Sequence, residues 1–236
     1  HRDLHSFPTR RSSDLNAFSQ GSIVGQSSYT GGIAGIQNGT IEYSHSESTI
    51  TGPDYCGGLT GENSADILNS YSSGVLNCNE YGGGLVGTHY GSITNSYSST
   101  VVNGTSDIGG LIGSDWGGSV ENSFWDTQVS GLEVSGGGTG KTTSQMKDIS
   151  TYPWDITLLS SINTDSLTTW YIDQGNGYPF LSFQYVQPQV TTQNGRDITT
   201  TTATLVGTLD SLGSHTNTEV YFRYKQQLGD WIYTTP

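Results

Sequence analysis

The amino-acid sequence predicts an all-β protein: a parallel β-solenoid with 26-residue coils of three short strands each, then a C-terminal cap and a partial β-sandwich. Three observations predict this fold. A glycine-rich phrase recurs four times at a spacing of 26 residues, apolar residues recur at the same spacing, and polar and small residues alternate between them. A fixed repeat of this length is typical of stacked architectures, in which each repeat packs only on its neighbours.

The recurring phrase has the form Gly-Gly-x-x-Gly, with an aliphatic residue at its third position. Its copies are residues 31–35, 57–61, 83–87 and 109–113. Glycine at these positions fits sharp corners that need a positive φ or a close backbone approach. Because no stretch of this region carries the apolar stripe of a helix, we expect short strands, each pairing with the equivalent strand of the next coil.

Three columns of apolar residues define the predicted core, one for each strand of a coil. The first is Ile33, Leu59, Leu85 and Leu111; the second is Ile41, Ile67, Ile93 and, after an insertion at Gly117-Gly118, Val120; the third is Val24, Ile50, Leu76 and Val102. Asparagine and aromatic columns accompany them: Asn69, Asn95 and Asn122, then His45, Tyr71, Tyr97 and Phe124. Each column is expected to stack along the solenoid axis at roughly 4.8 Å.

The sequence divides into four segments. Residues 1–15 lack the period and resemble one reading frame of a sequencing adapter, so we expect an assembly artefact; a basic natural leader is the alternative. Residues 16–130 form the predicted solenoid, and Val24 suggests that the chain enters partway through an earlier coil. Residues 131–186 form a glycine-rich loop and an aromatic cap over the open last coil. Residues 187–236 alternate like the strands of a sandwich.

Two parts of the sequence resemble known families. The glycine phrase, followed by Gly91–Ser98 and closing in Asn122–Asp126, resembles the GLUG-motif repeats of large bacterial and archaeal surface proteins. This resemblance covers about residues 16–130. It implies secretion, an extracellular or cell-surface location, and a structural or adhesive role as a stalk or contact surface, but no shared catalytic activity.

The strands after Pro188 are similar to the first half of a fibronectin type III-like sandwich. Only about 49 residues are present, whereas such a module needs roughly 100. We therefore expect Pro236 to mark a truncation and the chain to be a fragment of a longer protein.

Charge restricts the partners. The net charge of −13 disfavours nucleic acid and anionic membrane surfaces, and no apolar run is long enough to insert into a bilayer. Protein or glycan surfaces remain as partners. The best candidate contact surface is the column Tyr29, Tyr55 and Tyr81, whose rings could stack sugars or pack a partner protein if they face solvent. The alternative is a ladder that only covers a corner.

No catalytic residue is predicted, and the protein is not expected to be an enzyme. Between Asn16 and Gly140 there is no Lys or Arg, so a polysaccharide lyase would lack the cation and base that its mechanism needs. The rival hypothesis is a carbohydrate-active β-solenoid that hydrolyses glycosides with paired carboxylates. Its candidate carboxylates are Glu42, Glu62, Asp66, Glu80, Asp107, Asp115, Glu121 and Asp126.

No cofactor or metal site is predicted either. The phrase Gly138–Thr142 lacks the first glycine of a phosphate-binding loop, because Ser135 stands there. The sequence has no H-E-x-x-H motif, and His45, His89 and His215 are isolated. Calcium bridging by turn carboxylates stays open, although no calcium-loop motif is present.

The two cysteines, Cys56 and Cys78, lie in successive coils but in different columns. Cys78 is expected to stack over Gly52, so the sulfurs meet only if the turn Pro53–Tyr55 folds back. We expect two packed free thiols, with a disulfide as the alternative. Neither arrangement is a CxxC metal or redox motif.

Overall fold

The structure is a computed structural model that describes residues 13–162, 168–186, 189–197, 204–211, 213, 223–225 and 231–233. It has 54% strand and 9% helix, and its parallel sheets stack into a β-solenoid of about 4 turns. The predicted fold class is therefore confirmed. The chain divides into two compact units. The boundary between Ile156 and Thr157 lies within the segment assigned to the cap.

The solenoid strands follow one another as β1 (Ser13–Leu15), β2 (Phe18–Val24), β3 (Thr30–Gly31), β4 (Ala34–Gln37), β5 (Thr40–Glu42), β6 (His45–Gly57), β7 (Thr60–Asn63), β8 (Asp66–Leu68), β9 (Tyr71–Gly83), β10 (Val86–His89), β11 (Ser92–Thr94), β12 (Tyr97–Asn103), β13 (Ile112–Asp115), β14 (Ser119–Glu121), β15 (Phe124–Asp126) and β16 (Thr139–Lys141). Two single-turn helices, α1 (Thr127–Ser130) and α2 (Thr143–Met146), flank β16. Strand β1 lies within the segment set apart as an artefact, so the solenoid includes residues 13–15; residues 1–12 lie outside the described chain.

These strands form three parallel sheets, and a full coil gives one main strand to each. Sheet A has the order β1-β5-β8-β11-β14, and sheet C has the order β13-β10-β7-β4. Sheet B has the order β16-β15-β12-β9-β6-β2, with β3 also pairing with β6. Because β16 pairs with β15, the last strand of the repeat in sheet B has its edge covered.

Two strands of sheet B are longer than the others, since β6 and β9 each span 13 residues. Gly74 has a φ of 113° and Tyr81 a φ of 55°, so β9 bends at both points while its pairing with β6 continues beyond each bend. Leu59 and Leu85 lie in the turns between sheets B and C rather than in strands. The apolar columns therefore do not correspond one to one with the strands.

Two separate hydrophobic clusters hold each coil together. The main core contains Ile41, Leu59, Ile67, Leu85, Val86, Ile93, Leu111, Ile112 and Trp125, with Ile33 and Val120 packed against it. The side core contains Ile23, Ile50, Cys56, Leu76, Cys78 and Val102, with Ile108 and Leu132 packed against it. The first two predicted columns thus meet in the main core, and Ile50, Leu76 and Val102 of the third column build the side core.

Val24 is the member of the third column that the structure places elsewhere. Strand β2 pairs with β6 so that Ile23, not Val24, lies opposite Ile50. Ile23 is 6% exposed and Val24 is 52% exposed. The pairing of Thr30 with Cys56 restores the 26-residue offset, so the first coil holds one extra residue. A shift of one residue in a strand moves a side chain to the opposite face.

Steric crowding explains the three glycines of the repeated phrase, as the copy at residues 83–87 illustrates. A Cβ on Gly83 would collide with the carbonyl oxygen of Val86, and a Cβ on Gly84 would collide with the carbonyl oxygen of Gly110 and with Ser98. At Gly87 a Cβ would lie 2.9 Å from the carbonyl carbon of Tyr55. Each glycine thus permits a close approach of neighbouring chain.

A buried row of serines turns the corner between sheets A and B. The backbone N–H of Ser44 donates to Ser70 Oγ at 3.1 Å, and the same bond links Ser70 to Ser96 and Ser96 to Ser123. Each hydroxyl in turn donates to the carbonyl two residues earlier, for example Ser70 to Leu68 at 2.8 Å. This ladder satisfies polar groups that the corner buries.

The described residues after the repeat form smaller sheets. In the first unit, the indole N–H of Trp154 donates to the carbonyl oxygen of Asn122 at 2.8 Å, so Trp154 packs on the last coil. A three-stranded sheet contains β17 (Ile156–Leu158), β18 (Trp170–Ile172) and β19 (Phe180–Leu181). Two antiparallel pairs follow, β20 (Gln189–Arg196) with β21 (Thr204–Ser211) and β22 (Arg223–Lys225) with β23 (Trp231–Tyr233). The rest of the predicted sandwich lies outside the described residues.

Candidate binding surface

The tyrosine ladder consists of Tyr29, Tyr55 and Tyr81, at the corner before each double glycine. Ring centroids are 4.8 Å apart between Tyr29 and Tyr55 and 4.7 Å apart between Tyr55 and Tyr81. The interplanar angles are 19° and 3°, so both faces of Tyr55 are covered by its neighbours. The ladder therefore presents ring edges and phenol hydroxyls along its length, and it cannot serve throughout as the sugar-stacking platform that the sequence suggested.

The backbone of the tyrosine ladder is in the left-handed region, where bulky residues are uncommon. The φ angles of Tyr29, Tyr55 and Tyr81 are 69°, 56° and 55°, and Asp107 continues the row at 50°. The N–H of Tyr29 donates to the carbonyl oxygen of Asp54 at 3.1 Å, and that of Tyr81 to Ser106 at 3.2 Å. Stacked rings and bonds between coils hold these residues in a conformation that they would otherwise avoid.

Carboxylates surround the tyrosine ladder. Asp54 lies in register with Glu80 on the neighbouring strand, a pairing that the sequence analysis did not identify. The pKa of Tyr81 is raised, first by the carboxylate of Asp107 and then by the neighbouring Tyr55. The pKa of Tyr29 is raised by burial and by the carboxylate of Glu62. The surface beside the ladder is therefore acidic.

A second aromatic row is structural, and it is buried except at Phe18, which is 53% exposed. Ring centroids are 4.5 Å apart between Phe18 and His45, 4.9 Å between His45 and Tyr71, and 5.0 Å between Tyr71 and Tyr97. Burial lowers the pKa of His45 to about 4, so its ring is neutral at neutral pH. Phe124 continues the row into the last coil, and its ring centroid lies 5.9 Å from that of Trp154.

A third aromatic feature, which we call the aromatic corner, is the pair Tyr90 and Trp116 between sheets C and A. The ring centroids are 6.3 Å apart with an interplanar angle of 21°. Tyr90 is 49% exposed and Trp116 is 58% exposed. The sequence analysis missed this pair, although the 26-residue spacing from Ser64 to Tyr90 to Trp116 was available as a signal.

The candidate catalytic carboxylates serve local structure or lie in solvent. Asp126 is buried and caps α1, accepting from the N–H groups of Gln128 and Val129 and from the hydroxyl of Thr143. Asp66 accepts from Ser92 at 2.5 Å, and Glu62 accepts from Ser64 at 3.1 Å. Glu42 and Glu62 are half-buried; the exposed carboxylates are Asp66, Glu80, Asp107, Asp115 and Glu121. Within the described residues, no group of three or more His, Cys, Asp or Glu could hold a metal ion.

His89 is buried at the end of β10. Its Nδ1 lies 3.1 Å from the amide nitrogen of Asn63, and its Nε2 lies 3.2 Å from the carbonyl oxygen of Ser119. An imidazole that accepts at Nδ1 and donates at Nε2 satisfies both partners in its neutral form. Burial lowers the pKa of His89, which agrees with that form.

The structure joins Cys56 and Cys78 in a disulfide, with their Cα atoms 5.9 Å apart. The expectation of two free thiols is therefore wrong in this structure. Cys78 does lie in register with Gly52, as the spacing predicted. The bond forms because the chain bends at Tyr55, and because Gly52 has no side chain in the space that the sulfur of Cys56 fills.

No known protein family, curated protein or solved structure matches this chain. No helix in the described parts of the chain is long and apolar enough to cross a membrane.

Proposed function

We propose that this protein acts outside the cell or at the cell surface as a structural and adhesion protein of the GLUG-repeat kind, in a prokaryote. Its solenoid would serve as a stiff stalk whose sides offer contact surfaces. The observation that carries the proposal is the Cys56–Cys78 disulfide between neighbouring coils. Structural disulfides form and persist in oxidising compartments and are rare in the cytosol.

The organisation of the coils supports a role as a stalk. Parallel hydrogen bonds, the buried serine ladder and two aromatic rows all run from coil to coil along the same direction. Repeat proteins of this kind provide extended lateral surfaces for binding. The two antiparallel pairs after Pro188 are compatible with a fibronectin type III-like module as the next domain.

The charge distribution supports protein or neutral glycan partners. The solenoid lacks Lys and Arg from Asn16 to Gly140, and the chain carries a net charge of −13. Polyanions such as nucleic acid are repelled by such a surface. The hydroxyl and amide groups of the abundant Ser, Thr and Asn residues can hydrogen-bond to a partner without any charge.

The proposal is tested in the cells that naturally make the protein. Intact cells are treated briefly with protease, and the released peptides are identified by mass spectrometry, with a cytosolic enzyme as the control for lysis. We expect solenoid peptides without the control protein. Alkylation before reduction should leave Cys56 and Cys78 unmodified. Solenoid peptides that appear only after lysis, with both cysteines alkylated, would contradict the proposal.

A further inference from the structure

We propose that the aromatic corner, Tyr90 with Trp116, is a binding site for a neutral glycan, whose pyranose rings stack on the exposed faces of the two side chains. This inference deepens the adhesive part of the proposed function and rests on it. Carbohydrate-binding sites use aromatic rings for the apolar faces of sugars and a few polar groups for the hydroxyls.

The residue type at the aromatic corner changes from coil to coil, whereas the tyrosine ladder keeps a tyrosine at the same position in three successive coils. The same corner carries Ser64 in the preceding coil, and equivalent backbone bonds join the coils there: Tyr90 N–H donates to Asn63 and Trp116 N–H to His89, both at 2.8 Å. The corner folds with a small polar residue at this position, so its geometry does not require an aromatic ring. Tyr90 and Trp116 also remain largely exposed, so burial does not account for them.

The two rings are more accessible than those of the tyrosine ladder. Their centroids are 6.3 Å apart, compared with 4.7 Å between Tyr55 and Tyr81. Tyr55 lies between two stacked rings, whereas Trp116 has one stacked neighbour among the described residues and is 58% exposed. An apolar sugar face can therefore reach the surface of Trp116. The two rings stacked on Tyr55 prevent the same contact with the Tyr55 ring.

The loop that carries Trp116 has a rigid base. The one-residue insertion of the repeat falls at Gly117-Gly118, where Gly117 has a φ of 101°. Asp115 Oδ1 accepts from the N–H of Gly118 at 3.0 Å and closes the turn. Gly118 packs directly on the ring of His89, where a Cβ would not fit. A site held in place before binding loses less conformational entropy when the ligand arrives.

The charges around the aromatic corner select an uncharged ligand. Glu62 and Asp115 offer carboxylate oxygens that can accept hydrogen bonds from sugar hydroxyls. Glu62 lies in register with Thr88, two residues before Tyr90, and Asp115 directly precedes Trp116. No Lys or Arg occurs between Asn16 and Gly140 to neutralise a uronate or a sulfate. Acidic glycans are therefore disfavoured, and hydroxyl-rich neutral chains are favoured.

The experiment titrates the full chain with neutral hexasaccharides of glucose, mannose and galactose, and with hexagalacturonate as the acidic probe, by calorimetry. We expect at least one neutral probe to bind with a Kd on the order of 0.1–1 mM. Trp116→Ser and Tyr90→Ser restore the residue type of the equivalent corner at Ser64. Each should weaken binding about tenfold or more. Val134→Ser changes an apolar residue that is 63% exposed elsewhere and is the matched control.

Each outcome of this experiment either supports or overturns the proposed glycan site. Loss of neutral-glycan binding in the two corner variants, with binding kept in Val134→Ser and unchanged circular dichroism in all three, supports the site. Binding that survives the double corner variant, tighter binding of hexagalacturonate, or no binding of any hexasaccharide by the folded chain overturns it. A corner that binds only a protein partner also overturns it. None of these results changes whether the protein is exported, which the surface-proteolysis experiment decides.

Discussion

Cys56 and Cys78 are joined across neighbouring coils although they occupy different rows of the solenoid. Each cysteine lies opposite a glycine, since Cys78 is in register with Gly52 and Cys56 with Gly82. A Cβ on Gly52 would lie 2.9 Å from the sulfur of Cys56. The glycines thus leave room for a diagonal bond that fixes the side core of one coil against the next.

Replacing both cysteines by serine should destabilise the solenoid. The disulfide closes a loop with a sequence separation of 22, and a loop of this length restricts the unfolded chain by about 3 kcal/mol. Urea denaturation followed by circular dichroism should show this loss relative to the oxidised protein. The wild type in reductant should behave like the double variant. Equal midpoints for the oxidised protein and the double variant would contradict this role.

Gly84→Ala should be strongly destabilising, because its Cβ has no space beside Gly110 and Ser98. The backbone oxygen of Gly110 belongs to the next coil, so both coils must move apart, at a cost of about 3 kcal/mol. The matched control is Gly177→Ala, whose Cβ would meet only Asp173 at 3.8 Å and should change stability by less than about 0.5 kcal/mol. Thermal unfolding of both variants measures the difference.

The register of the first coil gives a paired test. Ile23→Ala removes a buried side chain from the side core and should lower the free energy of unfolding by about 2–4 kcal/mol. Val24→Ala truncates an exposed side chain and should change it by less than about 0.5 kcal/mol. A larger loss of stability for Val24→Ala than for Ile23→Ala would contradict this register. It would indicate the uniform 26-residue spacing, in which Val24 and not Ile23 faces the core.

The strict period made the stacked coils predictable from sequence, because identical spacing of glycine and aliphatic residues leaves few architectures that can bury them. The inward direction of Leu59 and Ile67 follows from that periodicity alone. The error at Val24 arose where the first coil holds one extra residue, since nothing local to Ile23 or Val24 distinguishes two adjacent aliphatic residues. An incomplete coil offers no further copies against which to check its register.

The candidate site was harder to predict, because the amino-acid sequence does not show how the planes of recurring aromatic rings are oriented. Tyr55 and Tyr81 recur at the correct spacing, but only their ring planes show that each covers the face of the next. Trp116 was overlooked because a search for recurring residues passes over a position where the repeat changes. Free thiols were expected instead of the disulfide because the bend at Tyr55 depends on a left-handed φ. A tyrosine in the sequence does not indicate that backbone conformation.

The stability of the protein should fall between pH 6.5 and pH 4. The pKa of His45 is lowered to about 4 by burial, so the unfolded chain binds a proton in this range and the folded chain does not. Above pH 6.5 the ring is neutral in both states and the full stability is present; it is lost as the pH falls toward 4. A shift of this size corresponds to about 3 kcal/mol.

His45→Phe isolates this effect, because Phe124 shows that the aromatic row accepts phenylalanine. Urea denaturation of both proteins at intervals from pH 7.5 to pH 4 should give a shallower decline for the variant. His89, whose pKa is also lowered by burial, should account for part of the decline that remains. Superimposable pH profiles would show that His45 does not titrate differently in the two states.

Stretching the full chain between its termini by single-molecule force spectroscopy tests the role as a stalk. While the Cys56–Cys78 disulfide is intact, the segment between the two cysteines, with a sequence separation of 22, cannot extend. Adding reductant should therefore lengthen the fully unfolded chain by about 70 Å, because that segment reaches roughly 77 Å at about 3.5 Å per residue, whereas the disulfide holds its two Cα atoms 5.9 Å apart. In the oxidised chain the coils should unfold in separate steps, because each coil binds only its neighbours. A single collapse of the whole solenoid at low force, with no change in length on reduction, would contradict both the cross-link and the stalk.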